Sequence, residues 1–357
     1  MTAPASPSTP WLLTCRHTFE PTLLAELHHL RLPFTHAAEL APGLLRVGLP
    51  ANLAVTACNP AYALQILPNA REVFAPSIRA LAEPIADALR AQLDAHPGAW
   101  DVHALVPGQL KGNPKPPMRR RADLIRDAVL ERLRATARWA LKRRIADGRQ
   151  LGILAQFILL DEGQLWFAVT PVQPLLDGAT WPATLPAGLA NVPDDDVAPA
   201  SSYRKLVEAL ACLDVAPRAG DACVDLGACP GGWTRVLLQH DALVTAVDRA
   251  PLAPHLMANP RVTFLATDAF AWRPPQPVAW LVSDIIAFPE RVGELLAAWL
   301  PPRLCERFVV QIKFKGDPDW PAVAAAQAVA LAAGYQVLTR HFFNDKNELT
   351  LMGKRGD

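Results

Sequence analysis

Residues 225–234, DLGACPGGWT, follow the short apolar run ACVDL and precede a helical pattern. Glycine admits positive φ and close approach of other atoms to the backbone, so a glycine loop at a strand end suits a nucleotide-like ligand. A phosphate cradle needs G-x-x-x-x-G-K-[ST], and no Lys-Ser or Lys-Thr follows these glycines. A dinucleotide loop needs G-x-G-x-x-G, and the spacing here is G-x-x-x-G-G. A third class of cofactor, S-adenosylmethionine, carries no phosphate and presents an ammonium, a ribose diol and an adenine amine. Asp225 beside the loop suits the ammonium. Asp248, 23 residues further on, ends a second apolar run and suits the ribose hydroxyls. Asp268 ends a third, where the adenine amine would be met. Any one of these acids could be a helix cap or a turn residue. Three on successive strand ends fit S-adenosylmethionine better than any phosphate cofactor.

Two further residues end strand-like runs. Asp284 closes LVSD and Lys313 closes VVQIK. A lysine in so apolar a strand is costly unless it is paired or lies in a crevice, the alternative being a side chain that snorkels to water. Lys315 is its close competitor, but it stands in the turn F-K-G-D and is expected to be solvated. Lys205 lies in SSYRKLVEAL, at the start of a helix, and Glu348 opens the last strand.

These residues need a frame. After residue 200 strands and helices alternate, which predicts an α/β fold: a Rossmann-like domain with a mostly parallel seven-stranded sheet covered on both faces. Helices are predicted near 203–213, 232–240, 289–300 and 319–333. The runs YQVLTRHFF and ELTLMGKR, joined by Asn344-Asp345-Lys346-Asn347, read as a closing hairpin. Upstream, residues 1–75 read as a small α/β module with a disordered start over 1–10. Its first helix, FEPTLLAELHHL, has Phe19, Leu23, Leu24, Leu27 and Leu30 at helical spacing. Residues 76–175 read as a second α+β module. Residues 176–200 are proline-rich, carry the acidic run Asp194–Asp196, and read as a linker ahead of the domain at 201–357.

Charge is distributed unevenly. The net charge is +1, yet residues 111–144 hold twelve Lys or Arg against three acids. From Asp123 this segment predicts an amphipathic helix with Leu124, Ala128, Val129, Leu133, Ala137, Ala140 and Leu141 on its apolar stripe and cations off it. Such a stretch suits phosphate contacts, or is simply a solvated helix face. The six cysteines form no C-x-x-C pair, which argues against a disulfide framework or a zinc site and suits a reducing cytosol. No histidine or cysteine cluster has metal-ligand spacing. MTAPASPSTP lacks a signal-peptide pattern, and residues 321–334 are too short to span a bilayer. The expectation is a cytoplasmic protein with no metal, no membrane and no obligate protein partner.

The loop VDLGACPGGWT resembles the cofactor loop of the FtsJ-like ribose 2′-O-methyltransferases, and within them the RlmM (large-subunit rRNA methyltransferase M) type. The resemblance implies a Lys-Asp-Lys-Glu constellation, which falls on Lys205, Asp284, Lys313 and Glu348. It implies S-adenosylmethionine contacts from Ser202, Cys229, Pro230, Gly231, Gly232, Trp233, Asp248, Asp268 and Asp284. It also implies that WLLTCRHTFE opens an N-terminal domain and that residues 76–175 are a THUMP-like RNA-binding module. The implied reaction is methylation of a ribose 2′-hydroxyl, a cytidine of 23S rRNA, with RNA held through residues 111–144.

In that reaction Lys313 would take the hydroxyl proton, which requires a pKa depressed from about 10.4 by burial and a second cation. Lys205 would stabilise charge on the oxygen, with Asp284 and Glu348 orienting the lysines. The rivals are the same chemistry on tRNA and a catalytically silent RNA-binding or assembly protein. A nicotinamide dehydrogenase is disfavoured by the missing G-x-G-x-x-G.

Overall fold

The run Trp11-Leu12-Leu13 has no polar alternation, so a strand built from it must be covered on both faces. In the computed structural model, which describes residues 8–54, 57–111, 116–146 and 150–356, all three side chains are fully buried. They lie in β1 (Ser8–Thr14), which therefore takes in the last three of the ten residues expected to be disordered; residues 1–7 lie outside the described residues. Chain contacts divide the protein into two units, Met1–Leu189 and Ala190–Asp357.

The first unit holds two sheets. After β1 come α1 (Glu20–His29), β2 (Thr35–Ala41), β3 (Leu44–Pro50) and β4 (Gln65–Leu67), in the antiparallel order β2-β3-β1-β4. Leu23 and Leu27 of α1 are buried, whereas Leu30 at its end is exposed. The second sheet combines β5 (Arg71–Phe74), β6 (Trp100–Leu105), β7 (Ile153–Leu159) and β8 (Gln164–Pro171) in the order β5-β8-β7-β6. Its helices α2 (Ile78–Ala95) and α3 (Pro116–Thr136), with the short α4 (Arg138–Leu141), pack on Trp100, Phe157 and Phe167.

Helix α3 begins at Pro116, seven residues before the predicted start at Asp123. Proline is tolerated in a first turn because that turn's N–H groups have no intrahelical acceptor. The buried stripe is Ala122, Ile125, Val129 and Leu133, continuing to Ala137 and Ala140. Leu124, expected on that stripe, is 45 % exposed, one position out of step with Ile125.

The stretch read as a linker is not free chain. Just before it β9 (Gln173–Pro174) pairs with β10 (Thr180–Trp181), which lies inside it. The Trp181 indole is buried, donates to the Cys58 carbonyl at 2.9 Å and meets the Trp11 ring at 6.2 Å. From residue 190 the chain belongs to the second unit, where Asp195 receives two hydrogen bonds from Arg235 at 2.6 and 2.9 Å. Proline content alone misled here, because one tryptophan and one carboxylate supply the anchoring.

The second unit contains α5 (Tyr203–Leu213), β11 (Ala222–Leu226), α6 (Gly232–Gln239), β12 (Leu243–Asp248), α7 (Pro254–Met257) and β13 (Val262–Ala266). It continues through β14 (Val278–Ser283), α8 (Pro289–Trp299), β15 (Cys305–Lys313), α9 (Trp320–Ala332), β16 (Tyr335–Arg340) and β17 (Glu348–Arg355). The seven-stranded sheet runs β13-β12-β11-β14-β15-β17-β16, with β17 antiparallel between β15 and β16 and the other six strands running parallel to one another. The chain winds from β11 outward to β13, then returns to β14 on the other side of β11. Strand order thus reverses between β11 and β14, and loops at their carboxyl ends open a crevice there.

Candidate active site

The crevice is built from the ends of three strands and the start of one helix. Asp284 follows β14, Lys313 ends β15, Glu348 begins β17, and Lys205 sits in the first turn of α5. Antiparallel pairing sets Glu348 opposite Lys313 in register. Tyr203, Leu206 and Leu210 fix the buried face of α5, and this aims Lys205 inward.

The four side chains form one connected chain. Glu348 Oε1 lies 2.7 Å from Lys205 Nζ. Lys205 Nζ donates to Asp284 Oδ1 at 3.1 Å. Lys313 Nζ lies 2.8 Å from that same Oδ1 and donates to the Asp284 backbone carbonyl at 2.7 Å. Burial pushes the Lys205 ammonium toward neutrality, but the charges of Asp284 and Glu348 outweigh it and hold its pKa above the ordinary lysine value. Lys205 is therefore a fixed cation at neutral pH.

The lysines differ in access. The Lys205 side chain is 10 % exposed and its partners are both carboxylates, whereas Lys313 is 22 % exposed and both its contacts are with Asp284. The second cation expected near Lys313 is Lys205, which shares Asp284 Oδ1 with it. The charge facing Lys313 directly is that carboxylate.

The glycine loop is folded against protein. A Cβ at Gly227, where φ is +73°, would lie 3.0 Å from Ile285, and one at Gly231, where φ is +111°, would lie 2.2 Å from Leu256. Both glycines are thus explained by packing and backbone conformation. Cys229 donates its backbone N–H to Asp248 Oδ2 at 3.0 Å, and Ala250 donates to Oδ1 at 2.9 Å, which orients the Asp248 carboxylate at its strand end. The Pro230 carbonyl accepts from Ala253 N–H at 3.0 Å. The Trp233 indole is buried, and its N–H goes to the Ser202 carbonyl at 2.8 Å, so this side chain fastens α6 to the start of α5. Gly232 packs on the Ser202 hydroxyl, where a Cβ would lie 2.9 Å from Oγ.

One acid, Asp225, behaves differently from the reading of the sequence. Asp225 is enclosed, accepts from the Thr234 hydroxyl at 2.7 Å, and its pKa is raised by burial to about 7, with the Asp284 and Asp248 charges adding to the rise. It anchors the loop from below and is not open to an ammonium. Asp268 lies at the surface, accepts from Phe270 N–H at 2.8 Å and pairs with Arg249, and these contacts lower its pKa. Thr234, the last residue of the loop motif, and Ile285, which no motif marked, carry structural roles.

The groups around the loop are Asp248, Asp268 and Asp284, with the N-terminus of α6 alongside. Carboxylates at these places accept hydrogen bonds from ribose hydroxyls and an adenine amine and would repel a pyrophosphate. The residues present therefore fit S-adenosylmethionine. No group of three or more His, Cys, Asp or Glu side chains is placed to hold a metal ion among the described residues.

Residues 200–306 match the family described as FtsJ-like methyltransferase. The chain is similar to the ribosomal RNA large subunit methyltransferase M of Alkalilimnicola ehrlichii, 37 % identical over 204 residues, which is 54 % of this chain and 56 % of that one. It is 35 % identical over 179 residues to the protein of the same name from Aromatoleum aromaticum, covering 47 % and 49 %. With that of Xanthomonas campestris pv. campestris strain B100 the identity is 33 % over 198 residues, covering 53 % and 56 %. The chain thus spans about half the length of the curated relatives it matches.

Proposed function

We propose that the second unit, which carries an FtsJ-like methyltransferase domain of the large-subunit methyltransferase M type served by S-adenosylmethionine, methylates a ribose 2′-hydroxyl of large-subunit rRNA. The observation that carries this reading is the unbroken chain Glu348–Lys205–Asp284–Lys313 in the crevice where strand order reverses. The nucleotide implied by the resemblance is a cytidine.

When bound, S-adenosylmethionine supplies an electrophilic methyl group on a sulfonium. The protein must place a weakly nucleophilic hydroxyl in line with it and manage one proton. Lys313 Nζ, the more exposed of the two lysine nitrogens, is the group that meets the hydroxyl and, once it has released a proton to become the neutral amine, takes up the hydroxyl proton. Asp284 Oδ1, 2.8 Å away, orients Lys313 and is the nearest acceptor for a proton that Lys313 gives up. Lys205 stays charged and offsets both acids. Glu348, held by the Lys346 N–H at 3.1 Å, fixes Lys205 in turn. Asp248 and Asp268 receive the cofactor's ribose and adenine, and the Cys229–Gly232 backbone lines its amino acid end.

The first unit supplies RNA affinity in this reading, as a THUMP-like module. Lys111, Arg120, Arg138 and Lys142 are exposed and have no ion pair among the described residues, so they are free for phosphates. No helix among the described residues is long and apolar enough to cross a membrane.

The test is incubation with methyl-labelled S-adenosylmethionine and three separate pools: deproteinised rRNA, intact large subunits and tRNA. Label in rRNA or subunits is expected. Label confined to tRNA refutes the substrate assignment.

A further inference from the structure

The two loops that deliver the acid and the exposed lysine also form a feature the methyl-transfer chemistry does not use. After Asp284 the chain reads Ile285-Ile286-Ala287-Phe288 before α8 begins at Pro289. Ile285 is occupied in packing on Gly227. Ile286 is 91 % exposed and Phe288 is 57 % exposed. A turn open to water ordinarily carries Gly, Asn, Asp, Ser or Pro, so two bare apolar side chains four residues or fewer from Asp284 call for an occupant. The loop after β15 meets them: Lys315, two residues beyond Lys313, sets its Nζ 4.6 Å from the centre of the Phe288 ring. Lys315 is exposed and has no ion pair among the described residues, so its charge is uncompensated.

We propose that Ile286, Phe288 and Lys315 seat the acceptor nucleotide, with Phe288 stacking on its base, Ile286 covering the base edge and Lys315 meeting an adjoining phosphate. This rests on the RNA methylation reading above. The chemistry fits an unpaired nucleotide: every base has a π-face, stacking tolerates any base identity, and a lone cation beside the ring suits the backbone anion. The position fits as well. The 2′-oxygen must reach Lys313 Nζ, and a base held on Phe288 places its ribose beside the loops that carry Asp284 and Lys313. The cation–π contact holds the two loops together and leaves more than half of Phe288 open. An exposed aromatic here thus recognises that a nucleotide is present rather than which one it is.

The test is steady-state methyl transfer to deproteinised large-subunit rRNA, with S-adenosylmethionine affinity measured separately on the full chain. Phe288→Ala is expected to raise the KM for RNA about tenfold, the size of one lost base–aromatic stack. Cofactor affinity should stay within about twofold of the parent, as no stack with the cofactor is removed. Phe288→Tyr should restore the RNA KM, and Lys315→Ala should lower the salt dependence of RNA binding by about one counterion. An unchanged RNA KM in Phe288→Ala, with the unaltered protein active, overturns the seat alone. Loss of cofactor affinity in step with RNA affinity overturns it too, by showing that Phe288 only props the Asp284 loop. If the unaltered protein labels no RNA, the underlying reading fails and the seat fails with it.

Discussion

Helix α3 and the α5–β14–β15–β17 crevice are both crowded with opposite charges, yet the pairs differ in kind. On α3, Arg126 meets Asp123 at 3.1 Å with both side chains about a third exposed, and Arg132 reaches Glu83 and Asp87 of α2 at 2.7 and 3.1 Å. In the crevice, Lys205 and Glu348 meet at 2.7 Å with side chains 10 % and 5 % exposed. Water screens the first set, so each pair adds little. The second set is desolvated, so each member depends on its partner for a charge it could not otherwise bear. The same pairing chemistry therefore pins surface side chains in one place and fixes desolvated charges in the other.

That contrast can be broken most sharply at Lys313. Lys313→Ala is expected to lower kcat for methyl transfer about a thousandfold while cofactor binding, read by calorimetry, persists. Retained activity would move the proton-accepting role elsewhere. Lys205→Met should follow, leaving Glu348 buried without its cation and costing about 3 kcal/mol in denaturant unfolding. The exposed pair offers the control: Arg126→Ala, measured the same way, should cost less than about 1 kcal/mol. Equal losses at the two sites would erase the distinction.

Asp225 sharpens it in a different manner. Its folded-state pKa of about 7 lies above the roughly 3.9 of an unfolded aspartate, so the folded protein binds the extra proton between those values. Stability therefore falls, through this group, as pH rises from about 4 to about 7. Asp225→Asn should flatten that portion of the stability–pH curve. A slope unchanged by the substitution would show that the enclosed acid does not titrate there. The smallest effect belongs to the free cations of the first unit. Replacing Arg120, Arg138 and Lys142 together by Gln should weaken RNA binding and reduce its salt slope by about two to three counterions. Unchanged affinity would make α3 an ordinary solvated helix.

These differences explain what could be read from residue order. Alternating apolar runs and a terminal hairpin are periodic signals, and they predict the seven-stranded sheet of the second unit with its antiparallel strand. Asp284 and Lys313 were visible as charged residues at the ends of apolar runs, where charge must have a partner, whereas Lys205 and Glu348 were singled out by the resemblance. Partners themselves are long-range facts. That Asp284 stands between the two lysines, and that Arg132 spends its charge on α2, depends on elements brought together by folding. Asp225 and Asp248 look alike in sequence, but burial separates them. Gly227 and Gly231 suggested bare backbone for a ligand, and their near neighbours are Ile285 and Leu256. Net charge likewise overstated residues 111–144, because Arg119, Arg126, Arg132, Arg134 and Arg144 are engaged in ion pairs within the first unit. The exposure of the apolar Ile286 and Phe288, by contrast, is a property of the fold that their residue types do not announce.

The central claim is that the crevice methylates a ribose oxygen, and alkaline hydrolysis of the labelled RNA tests it directly. Strand cleavage by base uses the 2′-hydroxyl as nucleophile, so a methyl group there protects the adjoining phosphodiester. Label recovered in an alkali-resistant dinucleotide, and absent from the product of Lys313→Ala, is the predicted result. Label recovered in mononucleotides, carried on the base, would contradict it.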